Sequence, residues 1–291
     1  MTGEVSGMGF MGFYGMTRQP FAKDIPTDRL CMGAGFRDAV ERLEYGVRCK
    51  RFTVLTGPCG CGKSTALRAL HDRLPSEKYR CIYISESNLT PRWLYAVALR
   101  KLGIEPRYYL NDAKRQFQDE LLSLRQARGL EAVMIIDEAH LIGGWHRRET
   151  LEEIRFLLNG GYDSGNTLAL ILCGQDELWG LLESAGSKAV SQRIELVARL
   201  RPLPGPAETA EYIRAHLDAS GCAEDLFSSD AVARIHAASG GEPRRINWIC
   251  SCCLLYSAAR SERMVQERTV SEVVENEMPG MPAGAGREAR K

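Results

Sequence analysis

Nine consecutive residues, Gly57-Pro58-Cys59-Gly60-Cys61-Gly62-Lys63-Ser64-Thr65, constrain this chain more than any other stretch. They fit G-x-x-x-x-G-K-[ST], the P-loop pattern. Before them, Phe52-Thr53-Val54-Leu55-Thr56 is apolar and β-branched, the composition of a strand. After them, Ala66-Leu67-Arg68-Ala69-Leu70-His71 reads as a helix. A strand, a glycine turn and a helix N-terminus aim backbone N–H groups at one point, which suits a phosphate. Lys63 is expected to reach the β- and γ-phosphates of ATP as a mobile point charge. The Ser64 hydroxyl is expected to ligate Mg²⁺. Cys59 and Cys61 read as small turn residues.

A second stretch falls where such a site needs it. Ala132-Val133-Met134-Ile135-Ile136 is a continuous apolar run, and Asp137-Glu138 follow. Buried parallel strands have this continuous character, and ligands sit at their carboxyl ends in open α/β sheets. The run is therefore a Walker B element. Asp137 is expected to hold Mg²⁺, directly or through water, and Glu138 to orient and activate the attacking water.

The remaining chain alternates strands and helices and then turns all-helical. Strands are expected at 80–85, 168–173 and about 193–197. Helices are expected over 36–50, after Thr90-Pro91, over 112–128 and over 150–159, the last closed by Gly160-Gly161. Pro202-Leu203-Pro204-Gly205-Pro206 reads as a domain boundary. Helices follow at 207–219, 229–239, 244–260 and 267–276. The organisation read here is an extended N-terminal lead over 1–35 and an α/β core over 36–204. An all-helical domain over 205–276 and a disordered tail over 277–291 complete it.

Composition narrows the class without choosing a role. The 291 residues carry a formal net charge of +1, so any polyanion surface must come from local clustering or from assembly. No apolar run reaches transmembrane length, and no signal peptide is visible, which points to the cytoplasm. In that compartment the ten cysteines are not expected to pair. Ile246, Ile249, Cys250, Cys253 and Leu254 follow helical spacing, so these cysteines read as core rather than metal ligands.

The order of motifs resembles the AAA+ layout: a P-loop core with a parallel sheet flanked by helices, followed by a small helical lid. The motifs that carry the resemblance are the P-loop at 57–65, Walker B at 134–138, Gln175 after the next strand, Arg193 in Ser191-Gln192-Arg193-Ile194, and Gly241-Glu242-Pro243-Arg244. The resemblance implies that Gln175 is sensor 1, a residue that positions water, with Cys173 as the rival position. It implies that Arg193 is an arginine finger reaching a neighbouring subunit's γ-phosphate, with Arg199 and Arg201 as rivals. Arg244 becomes sensor 2 on the lid. Asp137-Glu138-Ala139-His140 also spells a helicase box, but no second RecA-like domain follows, and the LSGGQ signature of ABC ATPases is absent.

Within AAA+ the chain is similar to ExeA-type ATPases (general secretion pathway protein A) and to the TniB- and TnsC-type transposition helpers. The residues behind this are Phe13-Tyr14-Gly15-Met16-Thr17-Arg18-Gln19-Pro20-Phe21, Gly174-Gln175-Asp176-Glu177-Leu178, Gln192-Arg193-Ile194 and Gly241-Glu242-Pro243-Arg244-Arg245-Ile246-Asn247. The secretion members carry a membrane span and a peptidoglycan-binding region that this sequence lacks, which favours the stand-alone type. The resemblance then implies a homo-oligomeric, ATP-dependent helper that binds double-stranded DNA and recruits or activates a DDE transposase. An ExeA-like secretion ATPase is the alternative. Between Thr90 and Gly129 lie Arg92, Arg100, Lys101, Arg107, Lys114, Arg115, Arg125 and Arg128, with Trp93, Tyr108 and Tyr109 among them. Repeated around an assembly, Arg92, Arg100, Lys101, Lys114 and Arg115 could follow phosphates without reading bases. A solvated helix face with aromatic packing fits the same residues.

Overall fold

The computed structural model describes residues 9–22, 25–27, 33–142, 146–158, 166–184 and 188–277. The expected tail from 278 onward and the Gly160-Gly161 helix stop lie outside the described residues.

Five strands form one parallel sheet: β1 (Phe52–Thr56), β2 (Tyr79–Ile84), β3 (Glu131–Ile136), β4 (Leu168–Gly174) and β5 (Leu196–Arg199). Their order is β2-β3-β4-β1-β5. β1 and β4 are buried along their whole length, as their unbroken apolar sequences require. The last strand starts three residues later than expected. Ile194 instead bonds back to Ser191 O, and Glu195 N–H meets Phe52 O just before the ladder begins.

Two compact units divide the chain. One contains Gly35–Cys59 and Lys63–Leu200, hence the sheet with α2 (Gly33–Arg48), α3 (Lys63–Arg73), α4 (Pro91–Lys101), α5 (Leu110–Ala127), α6 (Arg147–Leu157), α7 (Glu177–Glu183) and α8 (Lys188–Ser191). Local chemistry sets their starts. Thr90 caps α4 by accepting from Trp93 N–H, and Pro91 occupies the first turn. On α2 the buried positions Phe36, Ala39, Val40, Leu43 and Val47 form one face. The structure adds the short helices α7 and α8, which turn-rich sequence around 174–193 had concealed.

The other unit comprises Met1–Ala34, Gly60–Gly62 and Arg201–Lys291. Its described helices are α1 (Gly9–Phe13), α9 (Pro206–Ala219), α10 (Ser229–Ser239), α11 (Pro243–Ala259) and α12 (Glu267–Glu277). Ser228 caps α10, and Gly240 ends it at φ 62°. Ile246, Ile249, Cys250, Cys253 and Leu254 are all buried on α11. Burial pushes the Cys253 thiol up to about 12, so it behaves as a core residue.

The lead is not simply extended chain: residues 9–13 are helical, because Phe10 has an apolar surface to bury. Downstream, the Tyr14 hydroxyl donates to Leu254 O (3.4 Å) and Glu262 O (3.3 Å), and Thr17 N–H donates to Ser220 O (2.9 Å). The lead therefore packs with the helices beyond residue 200.

Phe21 stacks on His216 of α9, with ring centroids 5.1 Å apart. Among the described residues neither His216 ring nitrogen has a hydrogen-bond partner, and burial lowers its pKa from 6.5 to about 4. The unfolded chain takes up a proton near 6.5 and the folded chain only near 4. The contribution is therefore complete above 6.5 and is lost as the pH falls toward 4. Between pH 7 and pH 5 the wild type should lose about 2 kcal/mol more stability than His216→Leu, measured by urea unfolding.

Candidate active site

Strand register brings three sequence motifs to one edge of the sheet. Thr56, the last residue of β1, pairs with Gly174 at the end of β4, and Ile136 of β3 pairs with Leu172. Asp137 and Glu138 thus emerge beside Cys173 and Gln175, and the P-loop emerges on the other side of β4. Carboxyl ends of adjacent parallel strands are where ligands of such sheets collect.

The loop itself is built to turn. Gly60 and Gly62 sit at φ 81° and 91°, a region that side chains disfavour. Pro58 and Cys59 are exposed, Cys61 is buried, and Ser64 and Thr65 open α3 behind Lys63. The Lys63 ammonium is buried and donates to Gly57 O (2.8 Å) and Pro58 O (3.0 Å).

Asp137 is held from several sides. Its Oδ2 accepts from the Tyr83 hydroxyl (2.5 Å), and its Oδ1 accepts from Glu138 N–H (2.8 Å). Burial, then the Asp137 carboxylate and a hydrogen bond to it, push the Cys173 thiol well above its usual range. Cys173 therefore stays protonated and serves Asp137 as a donor. Burial, followed by the same carboxylate, also raises the Tyr83 hydroxyl. Neither Tyr83 nor the Cys173 contact was visible in sequence, because nothing local says that β2 lies next to β3.

The donors suit Mg²⁺ rather than an all-protein cage. Among the described residues no group of three or more His, Cys, Asp and Glu is arranged to hold a metal. Mg²⁺ needs only one or two protein oxygens beside phosphates and water, and Asp137 and the Ser64 hydroxyl are the residues that would supply them.

Glu138 adopts left-handed backbone (φ 51°, ψ 34°), a conformation a carboxylate residue adopts at a cost of about 1–2 kcal/mol. It follows β3 and opens the 3₁₀ turn Ala139–Leu141. Gln175 lies just past β4, half-buried, with its backbone N–H on His140 Nδ1 (3.3 Å). Arg193 follows α8 and is half-buried, whereas Arg199 stacks over Trp179 at 5.3 Å. Arg244 is exposed in the first turn of α11, and its backbone N–H donates to Gly60 O (3.3 Å).

The basic face divides once side chains are placed. Lys114 is drawn into packing: its ammonium pairs with Glu153 (2.6 Å) and lies over Phe156. Arg100 covers Trp93, and Arg92 donates to Tyr108 O while stacking on the Tyr108 ring. Lys101, Arg107, Arg115, Tyr108 and Tyr109 are exposed. Among the described residues no helix is long and apolar enough to cross a membrane.

Comparison with known proteins bears on the fold. The chain is 32% identical to general secretion pathway protein A of Aeromonas hydrophila over 266 residues, or 89% of this chain and 47% of that protein. It therefore spans about half the length of that relative. Among solved structures, Cdc6p of Pyrobaculum aerophilum matches with a TM-score of 0.65 at 16% identity, covering 94% of this chain and 74% of that one. A chain of Drosophila ORC bound to DNA matches with a TM-score of 0.62 at 17% identity, covering 94% and 67%. The Aeropyrum pernix ORC2 protein, solved as ADPNP–ADP complexes, matches at 0.62 and 14% identity, covering 91% and 71%. Likenesses at such identities speak to fold alone. Residues 47–182 match the AAA domain family, and the parallel sheet flanked by helices, with further helices following, has the layout of a P-loop AAA+ core.

Proposed function

We propose that this chain is an ATPase that hydrolyses Mg²⁺-ATP between neighbouring copies and uses the cycle to assemble on, and leave, double-stranded DNA. One observation carries the ATPase reading: the P-loop after β1 and Asp137 and Glu138 after β3 emerge at the same, carboxyl edge of the sheet, on the two sides of β4. Loop N–H groups from Cys59 to Thr65 and the Lys63 ammonium hold the phosphates. Ser64 and Asp137 hold Mg²⁺, which when bound neutralises charge on the phosphate oxygens. Glu138 orients water and takes its proton, and Gln175 holds the same water. Arg193 reaches the γ-phosphate of a neighbouring copy, and Arg244, in the first turn of α11, is the proposed sensor 2. Arg suits both tasks because its charge is permanent and its donors are fixed in a plane.

The DNA reading is supported by the exposed face of Arg92, Arg100, Lys101, Arg107 and Arg115, braced by Trp93, Tyr108 and Tyr109. The partner proposed for this mode is a DDE transposase. A second reading, a secretion-type ATPase acting with a membrane or cell-wall partner, is favoured by the identity to general secretion pathway protein A.

ATPase rate and sedimentation, with and without duplex DNA at low and physiological salt, separate the two. The DNA reading expects ATP-dependent assembly that weakens with salt. It also expects the Arg100→Glu, Lys101→Glu double variant to lose DNA affinity and flatten the salt slope. ATP turnover with no DNA response at either salt would shift the assignment to the secretion reading.

A further inference from the structure

We infer that His140 is a positioning residue that locks Gln175 in register with Glu138, so that the two water-handling groups act as one unit. The inference rests on the ATPase reading above and assigns a role to a residue outside that list.

The imidazole bridges the ends of two strands. His140 stands two residues beyond Glu138, in the 3₁₀ turn that follows β3, and its side chain is 11% exposed. Gln175, just past β4, meets it twice: the backbone N–H donates to Nδ1 (3.3 Å), and the side-chain amide lies 3.2 Å from Nε2. The Glu138 carboxylate lies 3.4 Å from Nδ1.

These contacts fix the tautomer. Nδ1 accepts from the Gln175 backbone, so a neutral ring carries its proton on Nε2. Nε2–H then needs an acceptor, and only the amide oxygen of Gln175 can serve at that contact. Amide oxygen and nitrogen are assigned by the bonds they must satisfy. The structure has the amide nitrogen at this contact, 3.2 Å from the ring, and exchanging amide nitrogen and oxygen turns the oxygen to His140 and leaves the NH₂ to donate.

A second feature of the chain serves the same joint. A Cβ added at Gly174 would lie 3.2 Å from His140 N and 3.3 Å from His140 Nδ1. Glycine at the end of β4 leaves room there, because a Cβ would press His140 and Leu178 aside by a few tenths of an ångström. His140, Gly174 and Gln175 are thus one fitted contact between two strand ends, with the proposed base at its margin.

The test is steady-state and single-turnover ATP hydrolysis by the full chain, beside equilibrium nucleotide binding. Wild type and Glu138→Gln come first: a wild type without turnover, or a Glu138→Gln with normal turnover, overturns the ATPase assignment and this inference with it. Given both, His140→Ala should lower kcat by about tenfold to a hundredfold, the scale of a misplaced reacting group. KM and nucleotide affinity should stay within about twofold. Gln175→Ala should fall similarly, and the double variant no further than the lower single, because His140 acts through Gln175. His140→Gln, which keeps a hydrogen-bonding side chain, should recover part of kcat, and it stands in should the Ala variant fail to fold. A wild-type kcat in both His140 variants, or multiplicative losses in the double variant, would overturn the inference.

Discussion

Glu138→Gln is expected to bind ATP as the wild type does while turnover falls by about 10²- to 10⁴-fold, the usual worth of a general base. The substitution changes little else. Gln has the same length and shape, and the backbone N–H that holds Asp137 Oδ1 at 2.8 Å is untouched. The left-handed backbone at this position (φ 51°) disfavours both side chains alike. Lys63, Ser64 and Asp137 keep their places, so phosphate and Mg²⁺ binding should persist. What disappears is the negative charge and the ability to take a proton from water. A variant that binds but cannot turn over should also stay assembled in ATP, and co-sedimentation with duplex DNA would report that directly. Phosphate release in a single turnover, paired with equilibrium binding of labelled ATP, separates the two effects. Normal hydrolysis would remove Glu138 from the role of base.

Much of the site was legible because its residues act locally. A P-loop is a strand, a turn and a helix in unbroken sequence, so β1 appears at the residues expected, 52–56. Asp137 and Glu138 could be placed because a continuous apolar run declares both the strand and its end. The helices of the second unit were legible for the same reason: Ser228 and Gly240 punctuate α10 at both ends. What escaped depends on which strands are neighbours. The Tyr83 hydroxyl reaches Asp137 across 54 residues of sequence, and Gln175 reaches His140 across 35. One sequence carries no register between strands, so neither pair leaves a local mark. The lead shows the converse limit. Its prolines and aromatics suggest irregular chain, yet Phe10 and Tyr14 are buried against helices more than 200 residues away, and that surface stabilises a turn of helix around them. Lys114 shows why charge counts mislead: its partner Glu153 lies on α6, 39 residues on.

Lys63→Ala is expected to lose ATP affinity by about 10²- to 10³-fold while leaving the fold intact. The ammonium supplies charge-assisted hydrogen bonds, each contributing about 1.5–3 kcal/mol, and each 1.4 kcal/mol is about tenfold in affinity. Two such bonds to phosphate oxygens account for the loss. The effect on stability has a different sign. Lys63 is 8% exposed, and its two partners are the carbonyls of Gly57 and Pro58. Removing a desolvated charge that has no carboxylate partner at these contacts relieves a cost, and Ala is the best helix former at the start of α3. The two carbonyls lose a donor, but Pro58 stands at the exposed side of the loop, where water can replace it. Thermal unfolding without nucleotide should therefore change little, while the stabilisation that ATP gives the wild type should vanish. Set beside Glu138→Gln, this variant divides the site into its two tasks: one substitution abolishes binding with the chemistry untested, the other abolishes chemistry with binding kept. Wild-type affinity in Lys63→Ala would mean that the phosphates lie elsewhere, and the water-handling roles of Glu138 and Gln175 would fall with the P-loop assignment.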